Sequence, residues 1–329
     1  MGAYVQALER GDPRVIGRCQ VLARIGAGGM AVVYLGRSSD GRPVAIKVMH
    51  AEFAADLELR DRFRREVAAN RIVSGGYTTV VLDADPDAAM PWLATEFLPS
   101  LSLSETVGEF GVLPADTVWS LAVGMAEALA SIHRAGIVHL DVKPANILLT
   151  SDGPRVIDFG IARELDASGA AFIGFPAGSP GFASPEQENG RWVTPASDVY
   201  SFGVTLAYAY AKTRADGDGR VALDGITDEA LRHMIASCVD PDPTHRPTMP
   251  ELIHYLLSVI SDRRPFETPW LPPAVTEEID RRAHEAENPP RAVETVIPQV
   301  SVESMTPMVP GPRRWTRHQA PGPLPEVSG

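Results

Sequence analysis

The chain has 329 residues, 44% of them hydrophobic, which suits one large domain plus a tail or two modest domains and excludes a wholly disordered protein. Its 42 acidic residues outnumber 30 basic ones for a net charge of −12, so the global field repels phosphate backbones and anionic membranes, and nucleic acid is not an expected partner. Cys19 and Cys238 are too few for a disulfide framework and lack zinc spacing; with no apolar leader, and with the uncharged helical run Val199 to Ala211 too short to cross a bilayer, the expectation is a soluble, cytoplasmic chain without a membrane span.

In chain order, residues 18–25 (RCQVLARI), 30–37 (MAVVYLGR) and 42–49 (RPVAIKVM) read as three short strands of an antiparallel meander. They are broken by Gly26-Ala27-Gly28-Gly29 and by Ser39-Asp40-Gly41. Residues 56–72 follow as a charged helix with Leu59, Phe63 and Val67 on one face. VVLDAD (80–85) and PWLATEF (91–97) read as two further strands. Helical periodicity then returns at Thr117–Ala135, Ser201–Lys212, Asp228–Val239 and Pro250–Ile260. A small β-rich lobe thus precedes a larger helical one. Of the 29 prolines, 13 fall in the last 65 residues, so a disordered or extended Pro-rich tail is expected from 263 to 329, in which only 276–287 has a helical pattern.

The chemistry is concentrated in four places. The glycine cluster at 26–29 is either an ordinary hairpin connection or a place where bare backbone N–H groups approach phosphate oxygens. It is not a Walker A loop, which needs GxxxxGK[ST] opening a helix. Only three of the 30 basic residues are lysines, Lys47, Lys143 and Lys212, so each invites a reason. Lys47 lies in an apolar strand, read either as an edge charge or as an ammonium that grips phosphate while Glu66 of the next helix holds it in place. The decisive stretch is HLDVKPANILL (139–149), followed by Asp158-Phe159-Gly160. Phosphoryl transfer to a hydroxyl needs a carboxylate to take the proton, a cation near the moving phosphoryl and oxygen ligands for Mg2+; Asp141, Lys143, Asn146 and Asp158 supply all three.

These motifs, in this order over about residues 14 to 262, resemble a bacterial Hanks-type (eukaryotic-like) serine/threonine protein kinase. The resemblance implies an α+β, bilobal protein-kinase-like fold, with a small antiparallel β lobe carrying one main helix (14–98) and a larger helical lobe (99–262). ATP, with Mg2+ or Mn2+, would bind in the cleft between them. By the same resemblance Gly26, Gly28 and Gly29, with Ile25, Ala27 and Val33, cover the nucleotide, and Ala45, Thr95 as gatekeeper and the hinge Glu96-Phe97-Leu98 surround its base. Lys47 would pair with Glu66, Asp141 would be the base, Asn146 and Asp158 would hold the metal, and Ser179 of GSPGFASPE would help place the substrate hydroxyl. The DVKPAN form of the Lys143 motif implies serine/threonine specificity and protein substrates. Glu186 would pair with Arg246, and Asp198 would brace the catalytic loop. Members of the family also pair as homodimers through the β-rich lobe.

Four departures are visible. Ala31 replaces the third glycine, and Leu140 stands where the family often has the arginine that receives an activation-loop phosphate. The segment from Asp158 to Glu186 holds no threonine or tyrosine, so activity independent of activation-loop phosphorylation is expected. Asn70 occupies a position usually apolar, and the short Gly- and Asp-rich stretch 212–228 predicts a trimmed substrate-docking region. The rival reading is a pseudokinase that binds nucleotide or acts as a scaffold.

Overall fold

The computed structural model describes residues 4–73, 76–262 and 270–290. The first lobe is one antiparallel sheet of six strands, β1 (Val15–Ile16), β2 (Cys19–Ala27), β3 (Ala31–Arg37), β4 (Pro43–Met49), β5 (Val81–Asp85) and β6 (Trp92–Glu96), in the order β1-β2-β3-β4-β6-β5. Alternating Val and Ile side chains of β2 to β4 form one buried face with Tyr34 and Trp92. Helix α1 (Leu57–Ile72) packs through Phe63 and Val67, and begins where the Asp56 carboxylate accepts hydrogen bonds from the Glu58 and Leu59 amides.

The second lobe starts with β7 (Leu101–Ser102) and α2 (Leu103–Phe110), then α3 (Ala115–Arg134) and β8 (Ile137–Val138). The hairpin β9 (Ile147–Thr150) and β10 (Gly153–Val156) follows, then β11 (Arg163–Glu164), β12 (Ala171–Phe172), α4 (Pro185–Glu188) and β13 (Trp192–Val193). Helices α5 (Pro195–Ala211), α6 (Glu229–Cys238) and α7 (Met249–Asp262) complete it, with Trp119, Tyr200 and Phe202 fully buried at the centre. Helix α2 is absent from the sequence reading, although Ser102 and Glu105 form a capping box at its start. Helix α5 begins six residues before the expected Ser201, because its first turns bury Ser197 and Asp198, polar residues that break the apolar pattern but are hydrogen-bonded inside.

The expectation that everything beyond 262 is tail is corrected for 270–290. Helix α8 (Pro273–Glu287) packs on the domain, with Leu271, Val275 and Ile279 in the core of the helical lobe and Ala286 in a cluster with Val5, Ala23, Leu35 and Phe97. Tyr4 to Leu8, ahead of the expected start at 14, also pack, Gln6 exchanging backbone hydrogen bonds of 2.8 Å with Arg24. The remaining tail lies outside the described residues.

Candidate active site

A cavity of about 590 Å3 separates the lobes. Ile25, Gly26, Ala27, Gly28 and Val33 line it from the β2–β3 turn, Ala45 and Lys47 from β4, and Thr95, Glu96, Phe97 and Leu98 from β6 and the segment after it. Leu148 and Ile157 close the opposite wall. Gly29 is the exception among the expected residues: it stands outside the lining, in open space at the tip of the turn. The Gly28 amide is tied back to the Ala31 carbonyl at 2.9 Å, and a Cβ on Gly28 would meet nothing closer than 3.8 Å, so the turn leaves room for a bulky anion beneath it.

Lys47 joins the two lobes. Its Nζ donates to Glu66 Oε1 at 2.6 Å and to Asp158 Oδ1 at 3.2 Å. Burial alone would lower the Lys47 pKa, but the two carboxylates outweigh it and the ammonium is raised above its ordinary value. Burial pushes the Glu66 carboxyl up, Lys47 pulling it back only in part, whereas Asp158, also pushed up by burial, is held below its ordinary value by Lys47. An ion pair of this kind is better evidence for fixed geometry than for stability. Asn70, at a position usually apolar in the family, has its Nδ2 donating to the Glu66 carbonyl at 2.9 Å.

Below the cleft, Asp141, Lys143, Asn146 and Ser179 form a second, contiguous cluster. Ser179 Oγ donates to Asp141 Oδ1 at 2.8 Å, and Lys143 Nζ lies 2.8 Å from Asp141 Oδ2 and donates to Ser179 Oγ at 2.7 Å. Asn146 Nδ2 donates to the carboxylate and carbonyl of Asp141 at 3.0 and 2.9 Å, which leaves the Asn146 side-chain oxygen as an acceptor. That oxygen and the ionised Asp158 carboxylate are hard donors of the type Mg2+ takes, so the residues present fit that ion. The loop is held from behind by Asp198, fully buried, whose carboxylate accepts from the His139 and Leu140 amides at 2.9 and 2.8 Å and lies 2.8 Å from His133 Nε2. Those contacts fix Leu140 at φ +65°, a left-handed conformation that a branched side chain adopts only when its surroundings impose it.

Leu140 is buried in a cluster with Val138, Ala171, Ile173 and Val193. Through this cluster the residue before Asp141 packs on the paired strands β12 and β13. Further along, the Leu140 carbonyl accepts from Gln187 Nε2 at 2.8 Å. Glu186 pairs with Arg246 through two bonds of 2.7 and 3.0 Å, as the sequence reading expects, and the Arg246 guanidinium lies 5.1 Å from the Tyr200 ring centre.

The profile of the protein kinase domain matches residues 19–257. The chain belongs to the protein kinase domain family. Within it, the chain is 44% identical over 312 residues to the serine/threonine-protein kinase AfsK of Streptomyces griseus, covering 87% of this chain and 38% of that protein. The AfsK of Streptomyces coelicolor is 46% identical over 289 residues, 82% of this chain and 36% of that protein. The probable serine/threonine-protein kinase PkwA of Thermomonospora curvata is 45% identical over 264 residues, 77% and 35% respectively. The chain thus spans little more than a third of the length of these relatives. Among solved structures, the kinase domain of Mycobacterium tuberculosis PknI matches with a TM-score of 0.62 at 24% identity, over 77% of this chain and 99% of that one, a likeness of fold. Among the described residues, no helix of this kinase is long and apolar enough to cross a membrane.

Proposed function

We propose that this kinase domain, a core at residues 14–262 with its lobes meeting at Leu98 and with Tyr4–Leu8 and 270–290 packed on it, transfers the γ-phosphoryl group of ATP to serine or threonine hydroxyls of protein substrates. The observation that carries this reading is the Asp141 carboxylate, held by Lys143, Asn146 and Ser179 beside a cleft in which Lys47 is already fixed by Glu66 and Asp158.

Lys47 grips phosphate oxygens as a fixed cation, and the lining from Ile25 to Val33 encloses the nucleotide while Thr95 to Leu98 flank its base. Ser179 and Asp141 Oδ1 receive the incoming hydroxyl. Asp141 takes the hydroxyl proton as the oxygen bonds to the γ-phosphorus and the bond to the bridging oxygen of the leaving ADP breaks. Lys143, close to both Asp141 and Ser179, offsets negative charge that builds on the phosphoryl oxygens. Asn146 and Asp158 would hold Mg2+ or Mn2+, which when bound neutralises phosphate charge. The apolar cluster around Leu140 supports activity that needs no phosphate on the activation segment.

Labelled phosphate transfer from ATP, with Mg2+ and separately Mn2+, to the protein itself and to a generic basic substrate tests this beside Asp141→Asn. Label on serine and threonine that vanishes in the variant is the expected result. A folded wild type that binds ATP without transferring label would return the reading to a pseudokinase.

A further inference from the structure

Helix α8 lies outside the span matched by the family profile, 19–257, yet it reaches the cleft. Its first half is built into the core of the helical lobe through Val275 and Ile279, and its last turn into the β-lobe cluster through Ala286, so one rigid element bridges both lobes beside the hinge residue Phe97. Between these anchors sits Arg282, 7% exposed, with part of its surface in the cleft lining. Arg282 donates to the Ser100 carbonyl at 2.9 Å, to Glu105 Oε1 at 3.0 Å and to Glu278 Oε1 at 3.0 Å, and its guanidinium lies 4.4 Å from the ring centre of Tyr4, which also lines the cleft. Glu285, one turn on, accepts the Tyr4 and Val5 amides at 3.1 and 3.3 Å.

A helix that served only as packing would bury apolar residues there. This one instead uses a rigid three-way fork, which an arginine alone among side chains can supply, to fix two groups that follow the hinge. Glu105 shows why that matters: its carboxylate is half-exposed at 48% and its second oxygen is occupied by Ser102. Without Arg282 that acid would be an unbalanced negative charge at the mouth of a cleft that takes a polyanion.

We propose that Arg282 is a nucleotide-positioning residue and that α8 acts as an interlobe strap, its docking and the filling of the cleft reinforcing each other. The inference rests on the reading of the cleft as an ATP site. By linkage, any gain in nucleotide affinity from the docked helix reappears as an equal gain in helix docking when nucleotide binds.

The test uses the full chain and two readouts that need no turnover. Hydrogen exchange across 273–287 is compared with and without Mg2+ and a non-hydrolysable ATP analogue, and the affinity for that analogue is titrated for wild type, Arg282→Ala and Arg282→Lys. Expected are slower exchange of 273–287 with nucleotide, and affinity about tenfold weaker in Arg282→Ala, the effect of losing charge-assisted hydrogen bonds. Arg282→Lys should stay closer to alanine than to wild type, since an ammonium cannot hold Ser100 and Glu105 together. Nucleotide that slows exchange in the β2–β3 turn but not in 273–287 overturns the inference, whatever the variants do. So does a lower melting temperature in Arg282→Ala with unchanged affinity, which would make the helix purely structural. A wild type that binds no nucleotide overturns the reading of the cleft and this inference with it.

Discussion

Replacing Ile173 by alanine isolates the apolar cluster that packs β12 on Leu140, and so tests the proposal that activity needs no phosphate on this segment. Ile173 is 5% exposed, packs with Leu140, Val138, Ala171 and Val193, and is not part of the cleft lining. Removing three carbons at about 0.8 kcal/mol each forfeits about 2.4 kcal/mol of transfer free energy, and the cavity left behind brings the loss to about 3 kcal/mol. At 1.4 kcal/mol per factor of ten, the ratio of docked to released segment falls by about two orders of magnitude. The β12–β13 pairing and the Gln187 bond to Leu140 persist and absorb part of this. The expected outcome is a fall of about tenfold or more in the initial rate of protein phosphorylation by phosphatase-treated enzyme, with ATP affinity within about twofold of wild type. Exchange of amides around 171–178 should rise in parallel. A variant as active as wild type would refute the argument, as would a wild type whose rate rises steeply once Ser168 is phosphorylated.

Asp198→Asn keeps the shape but places an amide donor among three donors, those of His139, Leu140 and His133; a loss of about 2–4 kcal/mol in chemical denaturation and a steep drop in turnover are expected. Gly178→Ala should remove activity with a soluble product, because φ is +97° and the new Cβ would lie 2.9 Å from both Ala183 Cβ and Gln187 Nε2; a fully active variant would contradict the geometry. For Glu186, burial raises the pKa but Arg246 more than reverses it, so the folded value lies below the ordinary 4.5. The unfolded chain therefore binds the proton first as pH falls, and the stabilisation, present in full above 4.5, is lost on descending through the range below it. Melting temperature measured from pH 7 to pH 3 should fall less steeply in Glu186→Gln than in wild type, although the variant starts lower.

The residues that the fold brings together in the candidate site were largely legible, because the proposed phosphoryl transfer calls for particular residue types at short spacings. Asp141, Lys143 and Asn146 lie within one loop, and the apolar strand around Lys47 and the charged helix around Glu66 are local patterns of period 2 and 3.6. Helix α2 was also within reach, since its capping box is written in Ser102 and Glu105, but eight residues give too little periodicity to register. Polar residues that are buried and satisfied mislead in the other direction: Ser197 and Asp198 hid the start of α5, and Asn70 stood only as a departure until its bond to the Glu66 carbonyl was in view.

Leu140 in sequence is only a missing arginine. Its role depends on Ile173 and Val193, which the fold brings to it from more than thirty residues away. Arg282 lies further still, 182 residues from Ser100 and 177 from Glu105, in a helix whose charged composition reads as solvated tail. The order of a β-rich lobe before a helical one, and the residue types gathered at Asp141, Lys143 and Asn146, follow from residue types and local period. The Leu140 cluster and the Arg282 contacts with Ser100 and Glu105 come from the fold, because they exist only once packing has brought distant stretches of chain together.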